Sequence, residues 1–208
     1  MTRKKLKVAV LISGHGSNLQ ALIDVCATAE FPAEIVLVVS NVPDALGLAR
    51  AKAASLPTAI VDHRSYKSRE SFDDAVDKIL RDAGAEFICL AGFMRIFGDA
   101  FVRKWEGRMI NIHPSLLPAF KGTQVHEQAI AAGVKMSGCT VHYVIPALDS
   151  GPIIAQEKVP VLAGDTPETL AARVLEAEHK TYPMALKWIA EGKVRFKDGR
   201  ALFAGEAR

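Results

Sequence analysis

The chain has 208 residues, of which 50% are hydrophobic and 24% are charged, and its formal net charge at pH 7 is +3. This balance excludes a disordered chain, and the length predicts a single domain over residues 1–208. The one dense basic run contains Arg3, Lys4, Lys5 and Lys7 and indicates a solvated N-terminal segment, so we expect no nucleic-acid partner.

Signals for membrane insertion, disulfides and metals are weak. No stretch approaches the roughly 20 consecutive apolar residues that a membrane helix needs. Cys26, Cys89 and Cys139 form no C-x-x-C pair and indicate buried thiols in a reducing compartment. The histidines show no H-x-x-x-H spacing, which gives no case for zinc. We therefore expect a cytoplasmic protein with no membrane partner and no metal.

Strands and helices alternate through the first half of the chain. Five continuous apolar runs predict strands that are buried on both faces, at residues 7–13, 34–40, 58–62, 86–91 and 109–113. Helical periodicity between them predicts helices at residues 17–29, 44–54 and 69–83. This alternation predicts a doubly wound α/β fold with a mostly parallel sheet and helices on both faces.

The last third of the chain begins with two long predicted strands. They cover residues 138–145 and 153–161 and are separated by a cluster of turn residues at 149–152. A long helix follows, which Asp165 or Thr166 can cap, and Glu168 would complete a capping box with Asp165.

The end of this helix and the C-terminal segment carry further signals. We expect Pro183 to kink or break the helix, because proline removes a backbone donor and clashes with the preceding turn. Gly192 is the expected end of the helix. Asp198 and Gly199 form a strong two-residue turn signal, which predicts a small C-terminal hairpin over residues 194–203.

A loop of small residues joins the first predicted strand to the first predicted helix. Gly14 and Gly16 let an anion approach the backbone, and the unpaired amides of a helix N-terminus favour negative charge. A dinucleotide fingerprint would need glycine in place of Leu19, and the chain has no Gly-Lys-Ser/Thr of an ATP-binding loop. The loop therefore fits a monophosphate, while a tight turn without a ligand has the same sequence features. We expect His15 to be an exposed loop residue.

Two polar side chains end the fifth predicted strand. Asn111 and His113 point to the same side of the sheet, toward the carboxyl ends of the strands where open parallel sheets bind ligands. An amide can stabilise a developing oxyanion and an imidazole can transfer protons, which suits acyl transfer. Asp149 is the candidate carboxylate that orients His113. Alternatively, Asn111 and His113 only satisfy the turn after the strand. We find no Ser-His-Asp or Cys-His arrangement that would indicate a covalent nucleophile.

Four motifs, in this order, resemble the glycinamide ribonucleotide formyltransferase family. They are SGHGSN at residues 13–18, LAGFMRI at 90–96, NIHPSLLP at 111–118 and LDSGP at 148–152. The likeness extends from about residue 8 to about residue 188. The last two motifs resemble folate-dependent formyl transferases in general, and the early GSN narrows the likeness to the glycinamide ribonucleotide branch. The chain departs from the common pattern at His15 and in residues 122–126.

The resemblance implies a reaction and a set of site residues. The formyl donor would be 10-formyltetrahydrofolate, a co-substrate, and the acceptor would be the amine of glycinamide ribonucleotide, a purine precursor. Asn111, His113 and Asp149 would be catalytic. The residues implied to bind glycinamide ribonucleotide are Gly16, Ser17, Asn18, Pro114 and Glu178. The residues implied to bind the folate are Arg69, Met94, Arg95, Ile96, Phe97, Asn111, Ile145 and Leu148.

We expect the amine to attack the formyl carbon directly, with Asn111 and protonated His113 holding the oxyanion and Asp149 keeping His113 charged and oriented. A tRNA formyltransferase or a formyltetrahydrofolate hydrolase would use related chemistry, but each would carry an added domain that we do not expect in 208 residues. A non-catalytic module that binds a phosphorylated ligand is an alternative of a different class. We expect small-molecule substrates and a monomer or a homodimer.

Overall fold

The computed structural model describes residues 4–205, so Arg3 of the basic run lies outside the described residues. Lys4 forms an ion pair of 2.6 Å with Glu86, and Lys7 already belongs to the first strand.

The strands are β1 (Leu6–Ile12), β2 (Ala33–Ser40), β3 (Thr58–Ile60), β4 (Phe87–Leu90), β5 (Met109–His113), β6 (Met136–Tyr143), β7 (Ile153–Pro160), β8 (Val194–Lys197) and β9 (Arg200–Phe203). The helices are α1 (Ser17–Cys26), α2 (Leu46–Ala53), α3 (Arg69–Asp82), α4 (Asp99–Lys104), α5 (Val125–Ala131) and α6 (Pro167–Ala190), and a short 3₁₀ turn covers His63–Ser65.

Seven strands form one sheet in the order β3-β2-β1-β4-β5-β6-β7. Pairing is parallel from β3 to β5, whereas β6 runs antiparallel to both β5 and β7. Strands β8 and β9 form a separate hairpin, in which Asp198 and Gly199 both have positive φ, as a tight hairpin turn requires. The predicted mostly parallel α/β sheet and the C-terminal hairpin are therefore confirmed.

The first strand separates two cores. Successive side chains of a strand point to opposite faces, so Val8 and Val10 pack with α1, α2 and α6, whereas Ala9 and Leu11 pack with α3 and α4. All four side chains have zero exposure. Helices on both faces therefore explain why this strand is apolar at every position.

Helix α6 differs from its prediction in two ways. It continues through Pro183, because Tyr182, Pro183 and Leu186 are buried and their packing outweighs the lost hydrogen bond. Its capping box uses Thr166 and Thr169. The predicted pair of Asp165 and Glu168 is wrong, since Asp165 instead binds Arg173 at 2.7 Å and accepts the N–H of Leu162. Helices α4 and α5 were not predicted, because six and seven residues are too short to show a helical period.

Tyr182 joins α6 to the centre of the sheet. Its hydroxyl donates to the backbone oxygen of Leu90 at 2.9 Å and lies 3.4 Å from that of Ile110. The side chain is fully buried. This contact fixes α6 against β4 and β5 near the carboxyl end of β4.

Two further expectations concern membrane-spanning helices and the state of the cysteines. None of the helices in residues 4–205 is long and apolar enough to cross a membrane. The three cysteines are free thiols, with Cys89 and Cys139 buried and Cys26 half-buried. Burial raises the pKa of Cys26 to about 12 and that of Cys139 to about 11, so both stay protonated and unreactive near neutral pH.

Candidate active site

The carboxyl ends of β4 and β5 open into a cavity of about 640 Å³. Asn111 and His113, from β5, line this cavity together with Asp149 from the segment between β6 and β7. His113 is 4% exposed, so its ring has little contact with bulk solvent. The structure thus brings together the three residues that the sequence analysis proposed as catalytic.

The histidine ring is held between two acceptors. Its Nδ1 lies 3.6 Å from Oδ2 of Asp149, and its Nε2 lies 2.9 Å from the backbone oxygen of Phe120. Both ring nitrogens therefore face oxygen atoms that can accept a hydrogen bond. The position of Asp149 can therefore orient His113 and compensate a positive charge on it.

A second histidine, which the sequence analysis did not assign to the site, lies beside these residues. His142 of β6 is the direct antiparallel neighbour of Asn111 on β5, and such neighbours project to the same face. The Nδ1 of His142 lies 2.9 Å from the oxygen of Tyr143 and must carry the proton. Burial lowers the pKa of His142, which favours the neutral ring.

This neutral ring orients the Asn111 amide. With the proton on Nδ1, the Nε2 of His142 is an acceptor, and it lies 3.4 Å from Nδ2 of Asn111 and 3.9 Å from Asp149 Oδ1. The amide nitrogen therefore faces His142, and one of its two N–H groups remains for another acceptor. No local sequence pattern could have found His142, because its role depends on the register between β5 and β6.

The segment before α5 lies over the Asp149 carboxylate. The backbone N–H of Gly122 donates to Asp149 Oδ2 at 2.9 Å, and Lys121 Nζ donates to the Ser150 hydroxyl at 2.6 Å. Phe120, whose carbonyl contacts His113, and Gln124 both have positive φ, an uncommon conformation for residues other than glycine. This segment therefore contacts both His113 and Asp149 and completes one wall of the cavity.

Most of the residues that the family resemblance assigns to the folate also line this cavity. The cavity-lining members of this set are Met94, Arg95, Ile96, Phe97, Asn111, Ile145 and Leu148. Met94 is 71% exposed and Ile96 is 57% exposed, so apolar surface is available to a ligand. Pro114 also lines the cavity, whereas Arg69, the first residue of α3, lines a separate groove beside Asp73 and Gly98.

The small-residue loop forms the N-terminus of α1. Gly16 has φ 71° and caps the helix without a side-chain hydrogen bond, so the N–H groups of the first turn point outward. Gly47 of α2 packs against it so closely that a Cβ on Gly16 would meet the Gly47 Cα at 2.6 Å. Arg50 donates to the carbonyl of His15 at 2.9 Å, and His15 is exposed. The unpaired N–H groups of the first turn of α1 therefore have the Arg50 guanidinium nearby.

Asn18 and Glu178 meet beside this loop although they are 160 residues apart. Nδ2 of Asn18 donates to Oε2 of Glu178 at 2.7 Å, and both residues are buried. Burial raises the pKa of Glu178 to about 7, against the opposing hydrogen bond from Asn18. Within residues 4–205, Oδ1 of Asn18 has no hydrogen-bond partner. This pair therefore has unused hydrogen-bonding capacity next to the N-terminus of α1.

Within residues 4–205, no group of three or more His, Cys, Asp or Glu side chains is arranged to hold a metal ion.

Comparisons with known proteins identify the family. A family model described as Formyl transferase matches residues 6–186. The phosphoribosylglycinamide formyltransferase of Haemophilus influenzae is 42% identical over 201 residues, which cover 97% of this chain and 95% of that protein. The crystal structure of glycinamide ribonucleotide transformylase 1 from Symbiobacterium toebii has a TM-score of 0.93 and 43% identity, covering 96% of this chain and 94% of that chain.

A further relative is much longer. The Bos taurus trifunctional purine biosynthetic protein adenosine-3 is 53% identical over 204 residues, or 98% of this chain, but the chain spans only 20% of that protein's length. The likeness to the Haemophilus influenzae enzyme, by contrast, extends over nearly the full length of both proteins. The chain therefore belongs to the formyl transferase family, in its phosphoribosylglycinamide formyltransferase branch.

Proposed function

We propose that the chain transfers the formyl group of 10-formyltetrahydrofolate to the amine of 5-phosphoribosylglycinamide, a step of de novo purine biosynthesis. The observation that carries this proposal is the meeting of Asn111, His113 and Asp149 in one cavity, within 3.6 Å for the His–Asp pair. An amide donor and a carboxylate-bound imidazole next to exposed apolar side chains fit acyl transfer from a large planar donor.

The acceptor would bind on the α1 side. The outward N–H groups at the N-terminus of α1, at Gly16, Ser17 and Asn18, suit its phosphate, because the helix dipole adds positive potential there. Glu178 and the free Oδ1 of Asn18 offer acceptors to sugar hydroxyls or to the amine. These groups would hold the acceptor at its two polar ends.

In the reaction the formyl donor supplies an activated carbonyl carbon. The acceptor amine attacks that carbon and forms the new C–N bond. One N–H of Asn111, whose amide is oriented by His142, donates to the developing oxyanion. His113, charged and held by Asp149, stabilises the same negative charge from the cavity wall. The bond to the folate nitrogen then breaks, and the proton that the amine loses is taken up by that nitrogen.

The test is formyl transfer from 10-formyltetrahydrofolate to glycinamide ribonucleotide, followed as release of deformylated folate. Asp149→Asn should nearly abolish acceptor-dependent release, because it removes the charge that faces His113. Release without the acceptor would instead assign the chain as a hydrolase. The absence of release with either water or glycinamide ribonucleotide would contradict the proposal and favour tRNA formylation or a binding module.

A further inference from the structure

The segment between β4 and α4, residues 92–98, has a conformation that needs an explanation. It has no regular secondary structure, yet it presents Met94 and Ile96 to solvent at 71% and 57% exposure. Two neighbouring apolar side chains gain free energy by folding inward, so an irregular segment does not keep them exposed without support. The rings of Phe93 and Phe97 anchor the inner side of the segment, since Phe93 stacks on Phe97 at 5.1 Å and Phe97 stacks on Phe101 at 4.0 Å between ring centroids. Two further groups hold its backbone.

The first support comes from Ser13, at the end of β1. Its backbone N–H donates to Gly92 O at 3.1 Å, and its hydroxyl oxygen accepts the N–H of Met94 at 2.7 Å. The same hydroxyl donates to Oδ1 of Asn41 at 2.5 Å. Asn41 is 2% exposed, so the hydroxyl is held in place by a buried group. Ser13 thus fixes the backbone on which Met94 is exposed.

The second support comes from Asp73, on α3. Its Oδ2 accepts the N–H of Gly98 at 2.7 Å, at the other end of the segment. The contact is close because Gly98 has no side chain: a Cβ there would lie 3.1 Å from that oxygen. Ser13 and Asp73 therefore hold the segment from two different structural elements.

Asp73 is an unfavourable residue for stability alone. It is 5% exposed, and its Oδ1 has no hydrogen-bond partner within residues 4–205. Burial raises the pKa of its carboxyl, which reports the unfavourable free energy of keeping a charge there. A buried carboxylate with one unused oxygen is destabilising, and packing alone does not account for it.

Resting on the function proposed above, we propose that Ser13 and Asp73 are positioning residues that hold residues 92–98 in the shape that receives the formyl donor. Neither residue lines the cavity with the folate-assigned set. Each acts through the backbone, by fixing the segment that carries Met94, Arg95 and Ile96.

The experiment compares Ser13→Ala and Asp73→Ala with their conservative partners Ser13→Thr and Asp73→Asn, which keep the hydroxyl and one acceptor oxygen. We measure KM for each substrate, kcat, and the Kd of tetrahydrofolate by calorimetry. Each alanine variant should raise the folate KM and the tetrahydrofolate Kd about 3- to 10-fold, as expected for the loss of one hydrogen bond to the segment, with the acceptor KM within about twofold. The conservative variants should restore most of the loss. Asp82→Ala, an exposed change on the same helix, is the matched control.

Three outcomes would overturn the positioning role of Ser13 and Asp73. Equal rises in both KM values, or a fall in melting temperature with unchanged folate affinity, would show a merely structural role and overturn the inference. An active parent whose alanine variants bind tetrahydrofolate normally would overturn this inference and leave the proposed function intact. A parent that neither transfers formyl nor binds tetrahydrofolate would overturn both.

Discussion

Glu178→Gln tests the charge state of the buried pair beside α1. The pKa of Glu178 is raised from 4.5 to about 7 by burial in the folded chain. Between these values the folded chain holds a proton that the unfolded chain has released. In this window the folded state binds one more proton than the unfolded state. The free energy of unfolding therefore decreases as the pH rises from about 4.5 to about 7.

The size of the effect follows from the shift. Each pKa unit corresponds to about 1.4 kcal/mol, so the parent should lose about 3 kcal/mol of unfolding free energy across the window. Glutamine has nearly the same shape, keeps an oxygen that can accept from Asn18, and does not titrate. Between about pH 4.5 and 8, the unfolding free energy of the parent should therefore fall by about 3 kcal/mol relative to that of Glu178→Gln.

Urea unfolding of both proteins across this pH range measures the difference directly. Glu176→Gln is the control, because Glu176 lies on the same helix two residues earlier and is exposed. Identical pH dependence in the parent and in Glu178→Gln would refute the reasoning, as would a difference that changes in the opposite direction.

The remaining predictions concern the reaction and the loop at α1. Asn111→Ala or His113→Ala should lower kcat roughly 10²- to 10⁴-fold, measured by formyl transfer, whereas a rate equal to the parent's would remove the assigned roles. Gly47→Ala should raise the KM for glycinamide ribonucleotide roughly tenfold with little change in the folate KM, because its Cβ would lie 2.5 Å from Ile12 and 3.2 Å from Gly16. An unchanged acceptor KM would show that the close packing of the two glycines does not shape this loop.

The sequence predicts those parts of the fold that local patterns determine. Strand β1 is apolar at successive positions because both of its faces are covered, and the Asp198–Gly199 turn follows from two positive φ values. The predicted break at Pro183 is wrong, because helix propensity alone takes no account of the packing of Tyr182 and Leu186 around the proline. Helices α4 and α5 are too short for periodicity to show.

In the site, too, local sequence patterns predict some features, whereas the packing of distant elements determines others. The spacing of Asn111 and His113 places both at one strand end, which is a local property. Their relation to His142 depends on the antiparallel register of β5 and β6, and the Asn18–Glu178 bond spans 160 residues. Neither could be read from spacing, because both depend on how distant elements pack. The placement of Arg69 outside the cavity likewise depends on how distant elements pack.

The buried hydroxyl of Tyr182 has a consequence for acceptor selection. Glu178 precedes it by about one helical turn on α6, and Tyr182 is bonded to the backbone beside Asn111. A rotation or sliding of α6 would break this bond, so rigid elements set the spacing between Glu178, which we propose binds the acceptor, and Asn111, the proposed oxyanion donor. We expect an acceptor one bond longer or shorter between phosphate and amine to present its nitrogen at the wrong distance. Selectivity for acceptor length would then originate in the hydrophobic core, at a residue that no substrate touches.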